Sequence, residues 1–213
     1  MKNLFSFMLF TLLVCPLSAQ ETKTIVLNPP DLKRGLPVMQ ALSVRASAKE
    51  FDTAKINLQD LSDLLWASNG VNRPNLGMRT APSAVNAQDI DVYVCIETGL
   101  YVYDAKKHVL DLVIEGDYRK SIAGSQKNFA AAPLMCLLVS DISRFKFGED
   151  STKLIWAAAD AGIVSQNISL FCASVGLATR PRAWMDQKEL RELLKLKKSQ
   201  YLMLNHPVSY KKK

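Results

Sequence analysis

The chain reads in two hydrophobic periods. Through NLQDLSDLLWASNG, residues 57–70, the apolar positions Leu58, Leu61, Leu64 and Leu65 recur at the three-and-four spacing of one helical face. Asn57 stands where a cap belongs, Asp60 follows three residues on and Gly70 supplies a stop, so the pattern predicts a core helix. PVMQALSVRAS predicts a shorter helix that breaks down near Arg45, preceded by an extended, proline-marked lead-in through KTIVLNPPDLKRGLP. From Ile90 the period changes to two. IDVYVCIE and LYVYD flank Glu97, Thr98 and Gly99 as the arms of a β-hairpin, and HVLDLVIE adds a third strand. PLMCLLVSD, residues 133–141, is apolar without alternation, as in a strand covered on both faces. The segment from Thr152 to Gly176 is the longest periodic element, and its Lys153, Asp160, Gln166 and Asn167 mark a buried or interface helix rather than a membrane span. LATRPRAW then predicts a strand or turn, MDQKELRELLKLK a short helix and SQYLMLNHPV a final strand. Helices and strands mix without βαβ alternation, which predicts an α+β fold with helices packed on a largely antiparallel sheet.

Composition sets limits around that pattern. A chain of 213 residues, 48% hydrophobic and 22% charged, suits one packed domain. Its first twenty residues, MKNLFSFMLFTLLVCPLSAQ, have an early lysine, an apolar run and a small-residue exit at Ser18 and Ala19, the layout of a secretory signal. The expectation is an exported, periplasmic protein with a single domain over residues 21–213. Lipid anchoring at Cys15 is the lesser option, because Val14 is bulkier than the residue usual before a lipidated cysteine. The formal charge is +7, and residues 1–20 hold one charged side chain, Lys2, so the remainder carries +6. Part of that excess is the closing run Lys211, Lys212 and Lys213, read as a solvated terminus. Basic residues are not interleaved with aromatics along a face, which argues against a nucleic-acid surface. Cys95, Cys136 and Cys172 lie in apolar runs without CxxC spacing, and the histidines are His108 and His206 alone, so buried small hydrophobes are favoured over a metal site. Neither GxGxxG after a strand nor GxxxxGK[ST] occurs, which argues against nucleotide sites of those two kinds.

Two short stretches carry candidate chemistry. In RASAKEF, Arg45, Ser47 and Lys49 recur every second residue, which points them to one side of an extended backbone. A guanidinium fork, a hydroxyl and an ammonium suit a phosphate, and a solvated turn after a helix suits the same residues. In RTAPSAVNAQ, Pro82 and its small neighbours allow close approach to a flat ligand, while Ser83 and Asn86 offer directional hydrogen bonds. A simple turn at Pro82 and Ser83 capped by Asn86 is the alternative. Arg79 reads as a loop or phosphate contact and Gln88 as structural.

RASAKEF and RTAPSAVNAQ resemble two motifs of the nitroreductase-family flavoproteins, the arginine-serine-lysine motif near their start and their proline-serine-asparagine segment. LLWASNGVNR, IDVYV, GLYVYDAKKHVL, GDYR at residues 116–119, DAGIVSQNISLFCASVGLATRPRAW and LMLNHPV are similar to corresponding stretches of the branch related to the azoline-peptide dehydrogenases of streptolysin S type. The resemblance runs from Leu36 to Pro207. It implies a nitroreductase-like α+β fold, an intertwined homodimer, and FMN held at the subunit interface. By the same resemblance Arg45, Ser47 and Lys49 bind the ribityl phosphate and the pyrimidine edge from one subunit, and Pro82, Ser83 and Asn86 reach the flavin from the other. Arg182, Ala183 and Trp184 lie beside the isoalloxazine ring. Ala46 stands where many members have a second basic residue, and Ala183 where glycine is common. Lys211 or Lys212 would be the C-terminal phosphate ligand, with Lys212 taken as the candidate.

The activity so implied is two-electron hydride transfer through FMN to or from a small organic substrate, with NAD(P)H as the in vitro donor and no catalytic side chain. Two rivals stand beside it: a dehydrogenase of a peptide-derived ring, and a noncatalytic flavin-binding protein of the envelope. Ala157, Ala158, Ala159, Ala161 and Gly162 would let a helix approach closely in a dimer, and they fit a plain core helix equally.

Overall fold

The computed structural model describes residues 23–212. The expected signal at 1–20, Cys15 within it, and Lys213 lie outside the described residues. An extended strand, β1 (Thr24–Val26), leads into α1 (Val38–Val44), which ends at Arg45 as its sequence predicts. Helix α2 (Leu58–Asn69) begins on Asn57, whose side chain accepts the Asp60 N–H at 2.8 Å, the reciprocal cap expected from the spacing. A small ribbon of β2 (Val71–Arg73) and β3 (Met78–Arg79) follows. The hairpin strands are β4 (Ile90–Ile96) and β5 (Gly99–Asp104), and β6 (Val109–Glu115) is the third strand. After a short α3 (Arg119–Ala123) come β7 (Leu134–Asp141), the long α4 (Asp150–Val175), β8 (Leu177–Thr179), α5 (Gln187–Leu193) and β9 (Gln200–Tyr210).

Seven strands form one sheet in the order β1-β6-β5-β4-β7-β9-β8, every neighbouring pair antiparallel. Strand β7 is an interior strand between β4 and β9, covered on both faces, which explains why the run from 134 to 141 shows no polar alternation. Its Cys136 and Leu138 pack with Val92 and Val94 against Leu64 and Leu65 of α2 and Val164 and Ile168 of α4. Its Met135, Leu137 and Val139 face the other way, toward Ile122 of α3 and Leu190 of α5. The register Val94↔Cys136↔His206 brings a histidine into this centre line. The three cysteines among the described residues, Cys95, Cys136 and Cys172, are free and buried, and burial pushes the thiols of Cys95 and Cys136 up to about 12.

Helix α4, 26 residues and about 39 Å long at 1.5 Å per residue, is the axle of the molecule. It is long and apolar enough to cross a membrane by length and composition. One side packs on the sheet, α1 and α2, burying Asp160, Ser165 and Ser169 among its apolar residues. The other side exposes Ile155, Ala158, Ala159 and Gly162. The helix ends on Gly176, whose left-handed φ of 80° turns the chain straight into β8.

Candidate functional site

The two stretches singled out by sequence both lie against α4, at different levels. At its C-terminal end, the chain after α1 runs beside β8, where the Ala48 N–H donates to the Thr179 carbonyl at 2.9 Å. A cavity of about 150 Å³ opens there, lined by Val44, Ala46 and Ala48, by Ser169 and Ala173 of α4, and by Thr179 and Lys211. The alternation expected of RASAKEF is therefore present in this form: residues 44, 46 and 48 line the cavity, while Arg45, Ser47 and Lys49 are exposed between them. The segment is irregular rather than a strand, because its single backbone bond to β8 does not extend into a ladder. Lys212, the expected C-terminal ligand, pairs instead with Glu50 at 3.2 Å, and its neighbour Lys211 reaches the cavity.

Beneath this cavity lies a neutral polar group. His206 is fully buried, its Nε2 2.8 Å from Ser165 Oγ and its Nδ1 3.3 Å from Thr179 Oγ1. Burial without a counter-charge pushes its pKa down to about 3, so the imidazole is uncharged at neutral pH.

The second stretch sits near the middle of α4 and is held by many bonds. Ser83 Oγ accepts the Gln88 N–H at 2.8 Å, and Arg79 Nε donates to Gln88 Oε1 at 3.0 Å. Gln88 Nε2 donates to the Gly77 carbonyl at 2.9 Å, and Arg144 donates to the Gln88 carbonyl at 2.8 Å. Gln88 is thus structural and Arg79 a loop contact. The Ala84 N–H is shared between both carboxylate oxygens of Asp160, at 3.0 and 2.9 Å. Within this frame Val85, Asn86 and Gln88 take left-handed backbone, with φ of 49°, 55° and 50°. Non-glycine residues avoid that region, and it persists where surrounding contacts over-determine the chain. Pro82, Val85 and Asn86 remain exposed at the tip.

The third expected stretch, Arg182 to Trp184, is split by the fold. Arg182 is only 6% exposed, and its guanidinium donates to Asn205 Oδ1 at 2.8 Å, the Ala123 carbonyl at 2.8 Å and Gln126 Oε1. It also stacks 4.3 Å over the Phe129 ring. Its main chain bridges to Asn205 through N–H···O bonds of 2.9 and 2.7 Å. Arg182 therefore fastens the turn from inside, while Ala183 and Trp184 are its exposed part. Trp184 is 61% exposed, its indole N–H donating to Ser125 Oγ at 2.8 Å beside an open cleft of about 620 Å³.

Asp160 and Asp89 carry more of this site than their sequence context suggests. The sequence reads Asp160 as a polar group of a buried or interface helix; in the structure it also anchors the 82–88 loop. An acidic residue in an alanine-rich helix with no basic residue three or four positions away is the signal that was available.

Comparisons with known proteins agree with this architecture. The sequence profile of the Nitroreductase family matches residues 42–210. A provisionally named nitroreductase of Methanocaldococcus jannaschii, MJ1384, is 26% identical over 197 residues, spanning 88% of this chain and 98% of that protein. A crystal structure of a provisionally named nitroreductase from Ralstonia eutropha JMP134 is 35% identical, covers 89% of this chain and 90% of its own, and superposes with a TM-score of 0.84. In fold alone, a chain of the Escherichia coli microcin synthetase McbBCD complex is similar over 96% of this chain and 85% of its own, at 15% identity and a TM-score of 0.72. With its sheet order, its long axial helix and the span of the profile match, this chain belongs to the nitroreductase family.

Proposed function

We propose that the chain is an FMN-dependent oxidoreductase that works as a homodimer on a small organic substrate, with NAD(P)H as donor in vitro. The observation that carries this reading is the donor set at the C-terminal end of α4. Arg45, Ser47 and Lys49 are exposed beside a small cavity that Lys211 borders, and donors of these types suit a phosphate dianion held at the surface next to it. Arg45 offers a fork to two oxygens, Ser47 a hydroxyl donor, and Lys49 and Lys211 point charges. β8 ends at Thr179, and the chain continues within five residues to Ala183 and Trp184, so a ligand anchored by its phosphate has an exposed turn close by in sequence. Bound FMN would supply the two-electron chemistry, which accounts for a site without a catalytic triad or an exposed carboxylate pair.

The spacing along α4 supports dimerisation. The 82–88 loop meets α4 at Asp160, and the phosphate cavity meets it at Ser169 and Ala173, about 14 to 20 Å further along the same axis. A second copy brings its loop to the first copy's cavity. The apolar exposure of Val38 (69%) and Met39 (78%) on α1 and of Ile155 (70%) on α4 supports burial against that copy. Residues 1–20 support export, and the azoline-dehydrogenase branch, supported by the motifs from Leu36 to Pro207, makes a peptide-derived ring the second substrate class.

The test is an absorbance spectrum of the purified protein, followed by anaerobic titration with NADH and with NADPH. A yellow protein bleached by either nicotinamide is expected. A protein that takes up no FMN overturns the reading, and one that stays yellow with both nicotinamides but bleaches with dithionite is a flavin binder without this activity.

A further inference from the structure

Two buried acids meet under the 82–88 loop with no cation between them. Asp160 projects from α4 and spends both oxygens on the Ala84 N–H. Asp89, immediately before β4, receives the Ser140 hydroxyl on Oδ2 at 2.5 Å, while its buried Oδ1 has no donor from the protein. The Asp89 and Asp160 carboxyls lie within hydrogen-bonding reach of each other, and Oδ1 is the Asp89 oxygen not otherwise engaged. Two ionised carboxylates in contact in a dry interior repel strongly, whereas a proton on one of them turns the repulsion into a hydrogen bond and satisfies the orphaned atom. We propose that Asp89 and Asp160 form a one-proton clasp that holds the 82–88 loop in its strained shape, making both of them positioning residues for the cofactor.

The surroundings agree. Burial, opposed by the Ser140 hydroxyl and reinforced by the hydrogen bond with Asp160, pushes Asp89 up to about 7. Arg144 on the turn after β7, a cation that Asp89 feels, is committed to Asp91 at 2.5 Å and to the Gln88 carbonyl at 2.8 Å. Asp141, adjacent to Ser140 on β7, turns its carboxylate to Ser143. Within the clasp the proton sits on Asp89 and points at Asp160, whose negative charge is then directed to the Ala84 N–H. Loss of that proton leaves two facing anions and pushes Asp160 from the position in which it grips the loop.

This inference rests on the FMN reading, and the test keeps the two apart. Asp89→Asn puts a carboxamide nitrogen where the orphaned oxygen was, so the hydrogen bond to Asp160 persists at every pH. In flavin-free protein the amide resonance of Ala84 is followed from about pH 5.5 to 8.5; the wild type is expected to titrate once, near 7, and to lose about tenfold of its exchange protection above that midpoint. Asp89→Asn is expected to stay flat. FMN affinity, measured on the same series, is expected to fall about tenfold in the wild type across that range and to hold in Asp89→Asn. An Ala84 signal that ignores pH, or an Asp89→Asn protein that titrates like the wild type, overturns the clasp whatever the flavin result. A titrating Ala84 with FMN affinity indifferent to pH overturns the positioning role, and absence of FMN uptake at any pH overturns the flavin reading while the clasp stands on the resonance alone.

Discussion

The two arms of the site are built in opposite ways. The segment from Arg45 to Lys49 leaves its functional side chains exposed and ties itself to the fold through the Ala48 N–H. The loop from Pro82 to Gln88 is pinned by bonds to Asp160, Ser83, Arg79, Gly77 and Arg144, which sustain three left-handed non-glycine residues. A charged phosphate needs attraction more than shape, because point charges and a guanidinium fork adapt to it on arrival. A flat ring edge needs donors and acceptors at fixed angles, and these bind well only when the loop is ordered beforehand. Under the proposed FMN reading, the contrast would give most of the binding energy to the first arm and most of the geometry to the second.

Removing charge from the open arm gives the largest expected effect. Arg45→Ala should weaken FMN binding by about tenfold to a hundredfold, the range for a hydrogen bond to a charged group, and the loss should shrink as salt screens what remains. Arg45→Lys, which keeps the charge without the fork, should fall between. Flavin occupancy unchanged in Arg45→Ala would refute the phosphate assignment. Next in size is Asp160→Ala, which removes the grip on Ala84; FMN affinity should lie about tenfold below the wild type at the acid end, stay flat with pH and meet the wild type at the alkaline end, since the variant has no clasp left to titrate. Equilibrium dialysis of FMN at two salt concentrations separates this variant from Arg45→Ala, because only the Arg45→Ala deficit relative to the wild type shrinks as salt rises.

A smaller effect divides the two terminal lysines. Lys211 borders the phosphate cavity and Lys212 is paired with Glu50, so Lys211→Ala should weaken FMN binding a few-fold and Lys212→Ala hardly at all. The sequence reading had favoured Lys212. One residue of register decides which of two identical side chains meets the cavity, and a run of lysines carries no register signal; the pairing of β8 with β9, Leu177↔Tyr210, supplies it. Elsewhere the legible parts are those with a strong period or a local cap: the Asn57 cap, the β4–β5 hairpin, the β7 run and the long α4. The short ribbon of β2 and β3, helix α3 and the inward turn of Arg182 depend on contacts with residues distant in sequence. Arg182 meets Ala123, Gln126 and Asn205, and none of these is readable from RPRAW. For the same reason the sequence could propose Ser83 and Asn86 but not the acid pair beneath them.

The arms also differ in the titratable group each rests on, and the smallest expected effect comes from their opposition. His206, under the phosphate arm, has a folded pKa pushed below its ordinary value, to about 3. Between that value and about 6.5 the unfolded chain binds a proton that the native protein refuses, so His206 makes stability fall as pH falls through this window. Asp89, under the ring arm, has a folded pKa raised to about 7. From the ordinary carboxylate value near 4 up to about 7 it is the native protein that holds the extra proton, so Asp89 makes stability fall as pH rises. Where the windows overlap, from about pH 4.5 to 6, the two proton counts cancel and the flavin-free protein should show a nearly level urea midpoint. Asp89→Asn removes one side of the balance and should expose a slope approaching about 1.4 kcal/mol per pH unit, with the protein weakest at the acid end. His206→Gln should expose the opposite slope. A level profile that survives both substitutions would show that neither group titrates as its surroundings dictate, and would remove the electrostatic distinction between the arms while leaving their hydrogen bonding intact.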